Sequence, residues 1–332
     1  MLETPNVADP KFKDRIKSRT YPVRETGGIV WAYLGPQGEA PPFPHWPFMD
    51  LPDSNRINVR AIVNCNYVQV IEGLVDSSHL TVLHSSALAK TNDSDLDYAK
   101  KTTHMQFDSA PIIEADETDF GFHYVAIRQG EAQRIARVTS FITPCFIANA
   151  NGDLLLMIVP VNDERCNFFH VWWDDEKAVG EEPLRSQQLV FVGLDDATLR
   201  KYGMTEDTCD TPAAMSLANG FGQDKQSQRN GHFSGFDSIT QEDAACSISS
   251  GKIRDRSQEM LCSADVAISR LHRSLLTAAR AARDQQEIPA LSSELGRAIG
   301  VSGEIGPDED WRSLVPHHRI TSSSRARTGQ GR

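Results

Sequence analysis

Hydrophobic and polar positions alternate in two parts of the chain. Residues 21–36 have apolar side chains at alternate positions beside Gly27 and Gly28, which predicts two short strands joined by a tight turn. Between about residues 104 and 174 four β-rich runs follow: 120–128, 135–142, 154–160 and 166–173. Because short turn sequences separate these runs, they favour an antiparallel sheet.

Apolar residues recur at helical spacing in two other parts. Residues 67–83 carry an apolar side chain every three or four positions, which predicts a helix. Residues 238–285 also favour a helix, with apolar residues and arginines on opposite sides of its second half. The remaining internal stretches are rich in proline or polar residues and predict a linker and loops: 37–55, 85–103 and 175–235.

These elements predict an α+β fold. A helix packed across a curved antiparallel sheet leaves a cavity between the two layers. We expect a small β unit with a linker at residues 1–50 and the main domain at 51–315. Residues 316–332 are rich in serine and arginine and predict a disordered tail.

Composition excludes some classes of function. The 332 residues are 39% hydrophobic and 24% charged, as in ordinary globular proteins, and the net charge of -11 disfavours nonspecific nucleic-acid binding. The sequence has neither a run of about 18 apolar residues nor a signal-peptide core, so we expect a cytoplasmic protein without a membrane span. Six scattered cysteines predict buried free thiols: Cys65, Cys145, Cys166, Cys209, Cys246 and Cys262.

Candidate chemistry lies in the predicted helix 67–83. Asp76 and His79 are three residues apart and share a helix face. His79 and His84 are five apart, which places them about 140° apart on a straight helix. They could bind one metal only if the helix ended or kinked near residues 81–82. Two histidines and a carboxylate suit Fe(II) or Zn²⁺; the alternative is a pair of ordinary polar residues at a helix end.

A third ligand has to come from elsewhere in the sequence. Residues 235–243 offer three carboxylates, those of Asp237, Glu242 and Asp243. Asp243 precedes two alanines, which leave room for a metal and a substrate. The alternative interpretation is an acidic first helical turn, which the helix dipole favours.

In combination, these residues carry a specific resemblance. Residues 66–86 resemble the iron-binding segment of Rieske non-haem iron aromatic ring-hydroxylating oxygenases, especially the phthalate dioxygenase-like large subunits. Residues 21–31, 241–243, 251–259 and the helix with Asp265 are similar as well, and the resemblance covers about residues 10–285. It implies a helix-grip (START/Bet v 1-like) catalytic domain with a long C-terminal helix, preceded by a remnant of a β Rieske domain in residues 1–50.

The resemblance also implies roles for single residues. His79, His84 and Asp243 would bind mononuclear Fe(II), and Asp76 would pass electrons to it from a Rieske cluster in a neighbouring subunit. The expected enzyme uses O₂ to hydroxylate or O-demethylate an aromatic substrate. Its expected partners are an NAD(P)H-dependent flavin/iron–sulfur reductase and further copies of the chain, as in a trimer.

Four polar residues are candidates for the substrate pocket. Asn66 and Gln69 belong to the predicted helix and could face the metal site or the pocket. Arg128 and Arg137, on adjacent predicted strands, could pair with a substrate carboxylate if they point inward. The alternative for all four is an ordinary solvated position.

One expected feature is missing from this sequence. The family's [2Fe–2S] cluster is held by two cysteines and two histidines in Cys-x-His and Cys-x-x-His motifs. This sequence contains neither motif. We interpret the chain as truncated at its N-terminus, the alternative being a natural homologue without the cluster. We therefore expect no turnover by this chain alone, which sustained NADH- and reductase-coupled oxygen uptake would contradict.

Two other classes of function remain open. A helix-grip module could bind a ligand without catalysis and retain a vestigial metal site. A zinc hydrolase is disfavoured because the sequence has no His-Glu-x-x-His motif. The metal-ligand set discriminates between these classes.

Overall fold

The computed structural model describes residues 3, 5–35, 38, 40–93, 96–130, 133–288, 295 and 298–315, and only the backbone of residues 92 and 93. The chain divides into two compact units, Met1–Phe43 and Pro44–Arg332. This division comes before the predicted boundary at residue 50. The reason is that Phe48 is fully buried in the second unit, beside Trp46 and Trp173. The predicted tail, 316–332, lies outside the described residues.

The first unit contains the predicted hairpin. A short helix α1 (Phe12–Arg15) precedes strands β1 (Val23–Thr26) and β2 (Ile29–Ala32), which pair antiparallel. Gly27 and Gly28 have φ values of 63° and 71°. Positive φ at both central positions belongs to the tight hairpin turn that glycine favours.

The second unit is built on one eight-stranded antiparallel sheet with strand order β3-β9-β8-β7-β6-β5-β4, and β10 pairs with β6. Its strands are β3 (Arg56–Val63), β4 (Ile112–Glu117), β5 (Gly121–Gln129), β6 (Arg134–Ile142), β7 (Phe146–Ala148), β8 (Leu154–Asn162), β9 (Arg165–Trp173) and β10 (Val301–Ile305). The predicted β-rich runs therefore form an antiparallel sheet, as expected.

The second unit also contains helices, and several of them pack on the inner face of this sheet. The unit's helices are α2 (Tyr67–Leu74), α3 (Leu80–Leu83), α4 (Ser85–Ala89), α5 (Asp97–Lys100), α6 (Leu184–Val192), α7 (Asp196–Lys201), α8 (Lys225–Arg229), α9 (Ile239–Ser249) and α10 (Val266–Arg283). Alternate residues of β9, among them Phe168 and Trp172, join Ile71 of α2 and Leu271 of α10 in the main core. This is the predicted α+β arrangement with a long C-terminal helix.

The outer face of the sheet has a smaller core of its own. Val125 and Ile127 of β5 point away from the main core and pack with Ile305 of β10 and with Trp311. Trp311 begins the 3-10 turn Trp311–Leu314 and is 2% exposed. The sequence pattern did not predict this segment, because β10 is short and its pairing partner is distant in the chain.

Several sequence-based boundaries were wrong. The predicted helix 67–83 is interrupted between α2 and α3, and the predicted helix 238–285 is divided by a turn in which Gly251 has a φ of 92°. The predicted loop 85–103 contains α4 and α5. Cys246 and Cys262 are exposed, because they lie on the open side of α9 and in the loop before α10, whereas the other four cysteines are buried.

Among the described residues, no helix combines the length and the apolar character needed to cross a bilayer.

Candidate metal centre

The break between α2 and α3 determines where the two histidines lie. Leu74 ends α2 and Leu80 begins α3, so His79 is the N-cap of α3 and His84 stands between α3 and α4. The backbone N–H of Ser78 donates to Asp76 Oδ1 at 2.7 Å. Because such local side-chain hydrogen bonds compete with helical ones, the chain leaves the helix here rather than at the predicted residues 81–82.

His79, His84 and Asp243 converge in space. The Nε2 atoms of His79 and His84 lie 3.5 and 3.1 Å from Asp243 Oδ1. One donor atom from each residue falls within 4.8 Å of the others. The two rings are 5.1 Å apart between centroids and nearly perpendicular, at 78°. Helix α9 supplies Asp243, so the three side chains come from two segments far apart in the sequence.

Each histidine has a carboxylate behind it. Asp76 Oδ2 lies 3.1 Å from His79 Nδ1, and Glu242 Oε2 lies 2.6 Å from His84 Nδ1. Ser234 Oγ in turn donates to Glu242 Oε1. Since an ionised carboxylate only accepts hydrogen bonds, these contacts favour the proton on Nδ1 and leave the Nε2 lone pairs directed at the centre.

Those two Nε2 atoms support the presence of a metal. Both are buried, and within the described part of the chain neither has a hydrogen-bond partner. Buried polar atoms in folded proteins almost always have a partner. Two imidazole nitrogens and one carboxylate oxygen form the donor set of a divalent transition metal. The residues therefore fit the iron that the sequence predicts.

The charges of the site reinforce one another in the metal-free protein. Burial alone lowers the pKa of His79, but the carboxylates of Asp243 and Asp76 outweigh it and raise the pKa to about 9. For His84 burial likewise lowers the pKa, while Asp243 and Glu242 raise it to about 10. Burial raises the pKa of Asp243, but the two histidines hold it well below its usual range. Deprotonated histidines need a cation to replace these protons, and a bound metal provides it.

A cavity of about 260 Å³ opens beside the centre. Its walls include Asp76, His79 and Asp243, so a molecule in this cavity can approach the centre. The remaining lining is mostly apolar with a polar edge: Val63, Val70, Gly73, Leu74, Leu83, Phe168, Ala244 and Ile268, with Gln69, Glu72, Thr240, Cys246, Ser247 and Arg254. Apolar walls with few polar groups are typical of small-molecule sites.

The two predicted pocket residues of α2 are engaged with the protein. Asn66 is the N-cap of α2, accepts from Val68 N and donates to the carbonyl of Asp163. Gln69 lines the cavity, but its amide donates to the carbonyls of Ser247 and Gly251. Its oxygen accepts from the backbone N–H of Arg254. These bonds connect α2 to the end of α9, and a substrate role stays a prediction.

Arg128 and Arg137 both lie on the inner face of the sheet, as the pairing hypothesis requires, and neither lines the cavity. Arg137 donates to Asn151 Oδ1 at 2.8 Å, and burial lowers its pKa to about 10. All three nitrogens of Arg128 donate to the protein, two of them to Ser77. Their role toward a substrate stays a prediction.

Sequence reasoning missed two residues of the centre. Glu242 was considered only as an alternative ligand, whereas it supports His84 from behind. Ser234 was not considered at all. Their position follows from the way residues 234–238 fold back over the start of α9, which a linear spacing does not reveal.

Comparison with known proteins identifies the class. Residues 32–327 match the family described as LigXa C-terminal domain like, the catalytic domain of Rieske oxygenases. The chain belongs to this family, which confirms the resemblance in residues 66–86 and makes the protein an oxygenase.

The curated relatives are oxygenase subunits. The phthalate 4,5-dioxygenase subunit of Pseudomonas putida is 28% identical over 317 residues, which cover 90% of this chain and 68% of the relative. The 3-chlorobenzoate-3,4-dioxygenase subunit of Comamonas testosteroni is 29% identical, covering 87% of this chain and 68% of that one. The 5,5'-dehydrodivanillate O-demethylase subunit of Sphingobium is 30% identical over 163 residues, 48% of this chain and 36% of that one.

A solved structure shares the fold. It is the NdmA QL mutant of Pseudomonas putida CBB5 with caffeine, which is 12% identical and aligns with a TM-score of 0.52. The alignment covers 92% of this chain and 72% of that one. At this identity the likeness supports the helix-and-sheet fold of the catalytic domain and nothing finer.

Proposed function

We propose that His79, His84 and Asp243 hold one mononuclear Fe(II) and that the chain is the oxygenase component for an aromatic substrate. The observation that carries this proposal is the pair of buried, unpartnered Nε2 atoms facing Asp243. Two histidines and one carboxylate on one side of Fe(II) leave its other positions open. The iron, when bound, supplies the activation of O₂.

The surrounding residues keep this donor set in place. Asp76 and Glu242 each accept a hydrogen bond from a histidine Nδ1–H, which fixes the tautomer and the direction of Nε2. The apolar walls beside Asp243, among them Leu74 and Phe168, exclude water from the reacting side. The chain thus holds the three donor side chains in a fixed orientation, and the apolar walls protect the site from water.

Asp76 has a second role in the proposal. Its side chain is 27% exposed, whereas Glu242 behind the other histidine is 1% exposed. We assign Asp76 as the entry point for electrons, which a reductase supplies through the Rieske cluster of a neighbouring subunit. Assembly with neighbouring subunits, as in a trimer, would bring that cluster close.

The substrate in this proposal is an aromatic ring with a carboxylate. The cavity of about 260 Å³ lies just below the range of about 300–1,000 Å³ for drug-sized ligands, so it suits a single ring. The relatives named for phthalate and chlorobenzoate act on substrates of this class.

Metal analysis together with electron paramagnetic resonance of the nitrosyl adduct tests the proposal. We expect one iron per chain with the high-spin Fe(II)–nitrosyl signal. Asp243→Asn should lose the iron, because it removes a ligand charge. Glu242→Gln should keep the iron with about 10- to 100-fold weaker affinity, because it loosens His84 without removing a ligand.

Three outcomes would contradict the proposal. Full occupancy by zinc would favour a hydrolase. A folded wild-type protein that binds no metal would favour a ligand-binding module. Retention of iron in Asp243→Asn with loss in Glu242→Gln would exchange the roles of the two adjacent acids.

A further inference from the structure

Arg128 is the largest fully buried side chain among the described residues, at 1% exposure. It stands on the inner face of β5, near the strand's end. A buried cation needs a reason, because moving a charge out of water is costly unless other groups compensate for it. Within the described ranges, none of the ion pairs shorter than 4 Å involves Arg128.

The guanidinium is directed at the break between α2 and α3. Its Nη2 donates to the carbonyl of Ser77 at 2.6 Å, and its Nη1 donates to Ser77 Oγ at 3.1 Å. Ser77 is itself 3% exposed. It stands directly after Asp76 and two residues before His79, in the stretch that has no helical hydrogen bonds to hold it.

A third contact connects the same guanidinium to the other side of this segment. Arg128 Nε donates to the carbonyl of Asp108 at 3.0 Å. Thr81 Oγ1, two residues after His79, donates to that carbonyl at 3.2 Å and to the carbonyl of Met105 at 2.7 Å. Hydrogen bonds therefore hold the chain on both sides of His79, from Arg128 of the sheet before it and to the segment 105–108 after it.

We propose that Arg128 is a positioning residue that fixes the broken segment 75–79, and with it His79 and Asp76, for metal binding. The planar fork of arginine reaches Ser77 O, Ser77 Oγ and Asp108 O together, which a lysine ammonium cannot do. The fork fixes the backbone between Asp76 and His79 in one conformation. This conformation directs His79 Nε2 at Asp243 instead of along a continued helix.

This inference rests on the proposed metal site, and it gives Arg128 a role other than substrate binding. Arg137 offers a matched comparison. It is also a buried arginine on the inner face, on the neighbouring strand β6, where it pairs with Ala126 of β5. Its contacts are with Asn151 and the carbonyl of Lys101, outside the metal-binding segment.

The test compares metal binding by full-length wild-type protein, Arg128→Met, Arg128→Lys and Arg137→Met. Fe(II) affinity is measured by competition with a chelator, and the coordination geometry by the d–d absorption of the Co(II)-substituted protein. Circular dichroism and thermal unfolding of the metal-free proteins report on folding. We expect Arg128→Met to bind Fe(II) about 10- to 100-fold more weakly, with an altered Co(II) spectrum. Arg128→Lys should be intermediate.

Arg137→Met should lose comparable stability, because it removes an equally buried cation, and keep the wild-type metal affinity and Co(II) spectrum. If Arg128→Met does not fold, Ser77→Ala gives the decisive result, since it removes one of the two acceptors at the break. We expect Ser77→Ala to alter the Co(II) spectrum in the same direction by a smaller amount.

The failures of the two proposals are distinguishable. Wild-type protein that binds neither Fe(II) nor Co(II) would refute the metal site. Wild-type binding together with an unchanged affinity and spectrum in the folded Arg128 variants, or in Ser77→Ala, would refute the positioning role alone. An Arg128 variant that weakens only the binding of an aromatic carboxylate, such as phthalate, would instead make Arg128 a substrate residue.

Discussion

The two candidate metal-binding histidines differ in the residues that support them. His84 and Glu242 are 2% and 1% exposed, and Ser234 donates a further hydrogen bond to Glu242, so this half of the site is fully enclosed. His79 is 20% exposed and its partner Asp76 27%. Because a buried pair joined by a hydrogen bond is more rigid than an exposed one, His84 provides the fixed reference of the site. The more open pair, His79 and Asp76, faces the cavity.

A third histidine, His170, is buried for a different reason. Its ring lies between Phe168 and Trp172 on the inner face of β9, with centroid distances of 4.0 and 5.1 Å. Burial lowers the pKa of His170 to about 3, so it is neutral in the folded protein. The unfolded chain has the ordinary value of about 6.5. Below that value the unfolded state binds the extra proton, and stability falls as the pH decreases toward 3.

We therefore predict a pH-dependent difference between the wild type and His170→Phe. Between pH 7 and pH 5 the free energy of unfolding of the wild type should fall by about 2 kcal/mol relative to the variant. Urea denaturation at the two pH values measures it, and between pH 7 and pH 8 the difference should be constant. If the difference in the free energy of unfolding between the wild type and His170→Phe is the same at pH 7 and pH 5, the imidazole can protonate in the folded protein.

At the scale of elements, the end of α6 holds the start of α9 in place. Thr240 Oγ1 donates to the carbonyl of Val192 at 2.6 Å, and Gln241 Nε2 donates to the carbonyl of Gly193 at 2.8 Å. Gly193 has a φ of 74°, and a Cβ there would collide with Ser238 Oγ and with the side chain of Gln241. Glycine is thus required twice, for its conformation and for the close approach of α9.

Gly193→Ala should consequently affect both stability and metal binding. Gly220→Ala is the matched control, since Gly220 has a φ of 58° and open space where its Cβ would be. The control should cost about 1–2 kcal/mol for the left-handed conformation. Gly193→Ala should cost a further 1–3 kcal/mol or so for the overlap.

Only Gly193→Ala should weaken Fe(II) binding, because it displaces the turn that carries Glu242 and Asp243. Chemical denaturation and chelator competition provide the two measurements. Equal behaviour of the two variants would show that the contact with α6 does not position α9.

Sequence reasoning succeeded where a local pattern was sufficient. The alternation of β9 and the Gly27-Gly28 turn specify their structures from neighbouring residues, and both were predicted. The break after α2 was placed too late, because Val75 and Leu80 continue a helical spacing across it. The sequence does indicate this break through Asp76, Ser77 and Ser78, because side chains of these types hydrogen-bond to nearby backbone and disfavour a helix. The roles of Glu242 and Arg128 depend on distant partners, His84 and Ser77, and no local pattern contains them.

At the scale of the whole molecule, the outer face of the sheet has its own cover. Arg312 pairs with both carboxylate oxygens of Asp116 and lies over the ring of Trp311 at 4.4 Å. Trp311 Nε1 donates to Glu114 Oε2 at 2.9 Å. These contacts connect the C-terminal segment to β4, on the side of the sheet opposite the candidate metal centre.

Trp311→Ala should therefore destabilise the protein without changing the site. We expect a loss of about 3–5 kcal/mol, as for other buried aromatic truncations. Trp311→Phe keeps most of the packing and should lose only about 1 kcal/mol for the hydrogen bond. Denaturation of the metal-free proteins measures these losses. Fe(II) affinity of the folded fraction should equal that of the wild type, and a weaker affinity would show that the two faces are coupled.

The candidate ligands lie far apart in the second unit's sequence. Strands β4 to β9 all lie between His84 and Asp243 in the chain. An ion held by both segments would act as a cross-link that closes this long loop, and such closures stabilise the folded state by restricting the unfolded one. Assembly of the site and completion of the fold would then be one event. The enzyme would lose cohesion between its helices, as well as its chemistry, whenever the ion departs.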